Sequence, residues 1–213
     1  MRSKGTTLIT LGLVLIISAL FLTGYNMLDA FHAKQSVQQA VNALASLPST
    51  ESVHKETQDG SKPNEDDSLE IIPDYILNPK MEMPTETING VDYIGILLIP
   101  SLGLELPVVS QWSYAGLKTA PCRYSGSAYL DNLIICGHNY SSHFGNLKVL
   151  QPGDEAVFED LDGNTFPYIL VEKETLQSNA VEEMTCGSWD LTLFTCTIGG
   201  QNRITLRFEK RGD

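Results

Sequence analysis

Between Thr6 and Gly24 the chain reads TTLITLGLVLIISALFLTG, without one charged residue. Roughly 20 such residues are what a helix needs to cross the hydrocarbon core of a bilayer. Inside a bilayer the backbone must satisfy its own hydrogen bonds, which a helix does. This stretch therefore belongs in a membrane and not in a water-soluble core. A cleaved export signal has a similar front end, but a shorter apolar region of about 7–15 residues and a small-residue cleavage site. Here the run is long, and YNMLDAFHAKQ follows it with no such site. The expectation is an uncleaved anchor over residues 6–24. Arg2 and Lys4 precede it, and positive charge there holds a short N-terminus in the cytoplasm. Residues 1–5 are then cytoplasmic, and the rest of the chain after Gly24 lies outside the plasma membrane.

From Tyr25 to Leu47, apolar residues recur at helical spacing at Met27, Leu28, Phe31, Val37, Ala40, Val41 and Leu44. This predicts a juxtamembrane helix over 25–47 that leads away from the membrane. PSTESVHKETQDGSKPNEDDSLE, residues 48–70, has too little apolar content to bury a core, so residues 48–85 read as a spacer. The texture then changes. Tyr93–Pro100, Leu104–Val109, Asn132–Gly137, Glu155–Asp160, Thr165–Glu172, Leu191–Cys196 and Arg203–Glu209 are short runs rich in branched and aromatic residues. Gly, Pro, Asn and Asp separate them, as expected of strands joined by turns. QPGDE and LDGN are the strongest turn signals, and WSYAGLKTAPCRY has room for one helical turn. Residues 86–213 thus read as one all-β domain, a sandwich or a barrel.

The net charge is −12 and no basic patch is visible, which excludes a nucleic-acid binder. An anionic outer domain stays soluble and avoids polyanions. There are four cysteines, Cys122, Cys136, Cys186 and Cys196. In an exported domain four cysteines suggest two disulfides, but a domain of this size buries enough core to do without them. Cys136 and His138 in CGH, with His143 nearby, are the material for zinc. No C-x-x-C pair accompanies them, so no metal is expected there. Cys136 reads as a small apolar core residue on its strand. Cys122 and Cys186 fall in loops and are the candidate disulfide pair.

Cys196 is the thiol with a chemical setting. In RITLRFE a period of two puts Arg203, Thr205 and Arg207 on one face and Ile204, Leu206 and Phe208 on the other. LTLFTC likewise separates Thr192, Phe194 and Cys196 from Leu191, Leu193 and Thr195. TIGGQN is short enough to join the two as an antiparallel pair, with Cys196 across the turn from Arg203. A nearby cation raises the thiolate fraction of a cysteine, and the thiolate is the nucleophile. Such a nucleophile needs a proton carrier. His32 lies by the membrane and His54 in the spacer, which leaves His138 at the end of its strand, with His143 as the fallback.

TLFTC with a following arginine, and GHN some sixty residues earlier, resemble the sortases, membrane-anchored cysteine transpeptidases of mostly Gram-positive bacteria. IPSLGLELPV, ICGHNY, LTLFTC and NRITLRF match the family in order, over about Tyr93 to Lys210. The resemblance implies a closed β-barrel of about eight strands with short helices. It implies Cys196 as nucleophile, His138 as general acid/base, Arg203 as the cation that steadies oxyanion and substrate, and Thr195 in contact with substrate. The Cys-to-Arg loop is shorter than in many members. The implied reaction cleaves an LPxTG-like sorting signal on a secreted protein through a thioester. The acyl group then passes to a cell-wall peptide amine or, in pilin-polymerising members, a pilin lysine. The implied class is that of thiol endopeptidases.

Asn-Pro-Lys in ILNPKMEMP stands where pilin sortases carry an Asp-Pro-aromatic lid, and no second apolar span follows the arginine strand; both favour wall attachment. Some members bind calcium. Glu174, Glu182 and Glu183 precede LTLFTC, but solvated acidic loops are common, and no cofactor is expected. The segment Lys173–Asp190 is expected to be the loop that shapes specificity. The competing readings are a tethered binding domain that has lost catalysis and a hydrolytic cysteine peptidase. The first is opposed by the joint presence of Cys196, His138 and Arg203; the second differs in using water instead of an amine.

Overall fold

The computed structural model describes residues 3–46 and 72–212. α1 is continuous over Ser3–Ala45. The expected spacer lies outside the described residues as far as residue 71, and a helical turn, α2 (Asp74–Leu77), follows. The β-domain then runs β1 (Glu86–Ile88), β2 (Val91–Ile99), β3 (Leu104–Val109), α3 (Tyr114–Thr119), β4 (Cys122–Ser125), β5 (Leu133–Gly137), β6 (Glu155–Asp160), β7 (Thr165–Gln177), α4 (Val181–Thr185), β8 (Leu191–Cys196) and β9 (Asn202–Lys210).

These strands form one sheet in the order β1-β2-β3-β4-β5-β8-β9-β7-β6, and β6 pairs back onto β2. That last pairing closes eight strands into a barrel and leaves β1 as a flap on β2. Closure removes the unpaired edges that an open sheet must protect. It depends on Gly95 (φ 149°), since a Cβ there would meet the Glu159 carbonyl oxygen at 2.1 Å. The barrel interior is packed by alternate residues of every wall, among them Leu97, Leu106, Leu133, Ile135, Phe158, Tyr168, Leu193, Leu206 and Phe208, each at most 1% exposed.

Three elements differ from the sequence expectation. Cys122 lies in β4, not in a loop. β4 touches β3 through a single parallel register pair and faces β5 across a bulge, too little pairing to leave a strand-like pattern. All four cysteines are free thiols. Cys122 is buried opposite Cys136 on β5, whereas Cys186 is exposed at the end of α4, so the candidate Cys122–Cys186 disulfide does not form. Finally, β7 runs on to Gln177 against β9, which makes strand of the first part of the expected Lys173–Asp190 loop.

The second half of α1 continues the apolar half without a break. It lies along the β-domain, in contact with α3 and β3. Ala33, Val37, Ala40, Val41 and Leu44 are buried, whereas Met27, Leu28 and Phe31 are exposed. The packing stripe follows the i, i+3, i+4 rows through partly buried Asp29, Ala30 and Ser36, a different face from that of Met27 and Phe31. Small side chains on it let the helix approach closely.

On β9, Arg207 is 2% exposed. Its guanidinium donates to Glu174 Oε1 (2.8 Å), Met184 O (2.8 Å), Thr192 Oγ1 (3.1 Å) and Glu183 O. It thereby holds α4 against the sheet, and it satisfies a buried cation that would otherwise be costly. Arg207→Ala is expected to lower the unfolding free energy by about 2–3 kcal/mol, discounted because Glu174 is partly exposed. Urea denaturation monitored by tryptophan fluorescence checks this.

Candidate active site

β5 and β8 are parallel neighbours, in register from Leu133↔Leu191 to Gly137↔Thr195. The next residue on each strand is His138 and Cys196, so the two leave the sheet side by side, one strand spacing of about 4.8 Å apart at the backbone. β9 returns antiparallel on the other side of β8 and sets Arg203 opposite Cys196. Three strands therefore bring these residues to one end of the barrel. All three are partly exposed, as groups that meet a substrate must be.

One contact ties the histidine strand to the cysteine strand, and a second packs it against the loop that follows. Thr195 Oγ1 donates to the Gly137 carbonyl at 2.8 Å. A Cβ at Gly137 would lie 2.7 Å from the ring of Phe144, which is fully buried, so glycine is required there. Beyond His138 the chain folds back on itself, with Phe144 N donating to His138 O (3.0 Å) and Gly145 N to Tyr140 O (2.9 Å). His138 lies against Tyr140, ring centroids 4.8 Å apart. Burial lowers its pKa, nearby Asp29 opposes that shift, and Lys118 adds to it. The imidazole is therefore ready to accept a proton at neutral pH.

Arg203 Nη1 donates to Gly200 O (3.0 Å) and Asn202 O (3.2 Å), so the β8–β9 turn holds its guanidinium. Gly200 N to Thr197 O (2.8 Å) and Thr197 N to Asn202 O (2.9 Å) close that turn. On the face of Cys196, Phe194 meets Tyr124 edge-on at 5.4 Å, Tyr124 meets Trp112 at 6.0 Å, and Trp112 meets Tyr114 at 5.1 Å. An aromatic line thus leads away from the thiol.

A family model described as the sortase domain matches residues 97–209, more than half of the chain. The chain belongs to the sortase family. Among curated proteins none matches it by sequence. Among solved structures it is similar to sortase A from Corynebacterium diphtheriae (20% identity, TM-score 0.52, covering 63% of this chain and 64% of that one). It is also similar to a Clostridium perfringens sortase D5 transpeptidase (23% identity, TM-score 0.51, 60% and 83% covered). A third likeness is to sortase C1 of GBS pilus island 1 (18% identity, TM-score 0.50, 57% and 65% covered). At these identities the likeness is one of fold. The chain spans less than two thirds of the length of the C1 and A structures.

Within this sortase barrel, the Thr195 side chain makes a structural contact. It is 3% exposed and its hydroxyl is engaged by Gly137, which makes it a tie between strands. Glu174, one of the carboxylates considered for calcium, is paired with Arg207 at 2.8 Å. Among the described residues no group of three His, Cys, Asp or Glu side chains is arranged to hold a metal ion.

Nothing in the sequence pattern signals the partners of the histidine loop: Tyr140 OH donates to Asp29 Oδ2 at 2.6 Å. His143, the fallback proton carrier, is fully buried, and among the described residues neither ring nitrogen has a hydrogen-bond partner. Burial pushes its pKa down to about 4, and His138 adds to the shift. A polar contact from the Thr119 backbone opposes it but falls short of a hydrogen bond.

An unfolded histidine titrates near 6.5, so between about pH 6.5 and 4 the unfolded chain binds the extra proton. The stability supplied by neutral His143 is complete above pH 6.5 and falls as pH drops toward 4. His143→Leu is expected to remove that part of the slope, up to about 3 kcal/mol. Urea midpoints at pH 7, 6, 5 and 4 for both proteins check this, and the comparison cancels carboxylate titration common to both.

Proposed function

We propose that this sortase is a cysteine transpeptidase acting on a sorting signal of secreted proteins outside the membrane. The observation that carries the reading is the meeting of Cys196, His138 and Arg203 on three neighbouring strand ends. Cys196 attacks the backbone carbonyl of an extended peptide, and the tetrahedral oxyanion forms where Arg203 and backbone N–H groups supply positive charge. His138, protonated at that stage, delivers its proton to the leaving amine, and the C–N bond breaks to leave a thioester. An incoming amine gives a proton to His138 and attacks the thioester, and the C–S bond breaks to release the Cys196 thiolate and leave the acyl group in a new amide. The aromatic line from Phe194 to Tyr114 suits the apolar side chains of an LPxTG-like signal.

α1 is long and apolar enough to span a membrane, and in this reading it anchors the enzyme with residues 1–5 in the cytoplasm. Attachment to a cell-wall peptide amine is the form of the reaction we favour over pilin polymerisation. Tyr75 on α2 stacks on Tyr129 at 4.7 Å and packs on Phe166 at 5.3 Å. These lie near the start of β5 and β7, at the barrel end opposite Cys196. α2 is thus pinned at the barrel end away from the thiol.

Intact-mass spectrometry of the full chain with LPxTG-like peptides is expected to show an acyl adduct, and ligated product when oligoglycine or a diamino acid is supplied. Cys196→Ala should show neither, and Arg203→Ala should slow adduct formation by about 10²–10³-fold. Acylation that persists in Cys196→Ala would reject the reading.

A further inference from the structure

The contact between α1 and the histidine loop joins the membrane helix to the reaction centre. Asp29 is partly buried on the packing stripe of α1, and its carboxylate accepts the Tyr140 hydroxyl at 2.6 Å. The Tyr140 ring lies at 4.8 Å and 37° to that of His138 and at 5.5 Å from that of His143. The Tyr140 hydroxyl stays a neutral donor at every working pH, since burial and Asp29 push its pKa up to about 12. We infer that Asp29 is a positioning residue for His138, acting through Tyr140, so that the juxtamembrane part of α1 is one wall of the active site. This rests on the transpeptidase reading for its catalytic consequence, although not for the contact itself.

The charged and titratable groups around His138 are Asp29 and, near Tyr140, Tyr25 from α1, Lys118 from α3, Tyr140 and His143 from its own loop, Cys196 from β8 and Arg203 from β9. Asp29 is the anion in that set. A carboxylate there stabilises the imidazolium that forms when His138 takes the thiol or amine proton. The hydrogen bond to Tyr140 meanwhile fixes the ring against which His138 rests. Geometry of this kind is worth a large factor in rate, because a misplacement of about 1 Å can cost 10²-fold.

The same contact sets the height of the site. Asp29 follows the end of the apolar run at Gly24 by roughly 8 Å of helix. At that level the opposite face of α1 still exposes Tyr25, Met27, Leu28 and Phe31, side chains suited to the lipid headgroup boundary. The catalytic histidine is thereby held close to the bilayer surface, where a sorting signal still attached to the membrane would be presented.

The test uses the full chain in detergent micelles or nanodiscs, with Asp29→Asn, Tyr140→Phe, the double variant, Asp29→Glu, and exposed Lys34→Gln as a control on the same helix. Two quantities are read: the NMR titration of the 13C-labelled His138 imidazole, and kcat, KM and the pH profile of transpeptidation. Asp29→Asn is expected to lower the His138 pKa further, and to lower kcat about 10- to 100-fold with KM little changed. Tyr140→Phe should match that loss, the double variant should be no worse than either single one, and Asp29→Glu should recover part of the rate.

Unchanged titration and kcat in Asp29→Asn would overturn the inference, as would additive losses in the double variant. If the wild-type chain forms no acyl adduct, the transpeptidase reading fails, and the His138 titration alone then decides whether Asp29 acts on His138.

Discussion

Parallel pairing between β5 and β8 is the constraint on which the site depends. Two strands that run the same way deliver their last residues to the same edge, so His138 and Cys196 emerge together from positions far apart in sequence. The bond from Thr195 to the Gly137 carbonyl locks their relative height, and the packing of Phe144 against Gly137 fixes where the chain turns. A functional side chain placed just past the end of a buried strand inherits the rigidity of the strand while remaining open to substrate. The antiparallel return of β9 then adds Arg203 opposite the cysteine.

The two arginines of β9 share a face of the strand and have different roles. Arg207, four residues further from the turn, is buried and fully engaged by α4, β7 and β8. Arg203 is at the rim, held by the carbonyls of its own turn, and stays partly open to a ligand. Burial separates the two where periodicity could not. The cation inside the wall stabilises the segment between β7 and β8, and the cation at the rim stays accessible at the barrel end where Cys196 lies.

Much of this was legible in the sequence because it is local. The alternation in LTLFTC and RITLRFE, and the short link between them, specify a hairpin and place Cys196 across from Arg203. The barrel strands with strong branched and aromatic content were legible for the same reason. β4 was not, since CRYS is held by one register pair to β3 and a bulged pairing to β5. The extension of β7 through EKETLQ is polar and owes its strand form to the long β9 partner. The face that α1 turns to the barrel was legible only in part: Val37, Val41 and Leu44 are buried on it, but toward the membrane it continues through Asp29, Ala30 and Ala33 while Met27, Leu28 and Phe31 look outward. The Asp29–Tyr140 contact joins residues far apart in sequence, and nothing in either neighbourhood announces it.

The claim that three strand ends make one reaction centre is tested most directly by a crystal structure of the chain covalently trapped. An LPxTG-like peptide in which an electrophilic ketone replaces the scissile amide would serve as the trap. The account predicts a bond from Cys196 Sγ to the former carbonyl carbon, with the oxygen on the Arg203 side and His138 facing the leaving-group position. A peptide bonded to another thiol, or bonded to Cys196 with its oxygen turned away from Arg203 and His138 out of reach, would contradict it.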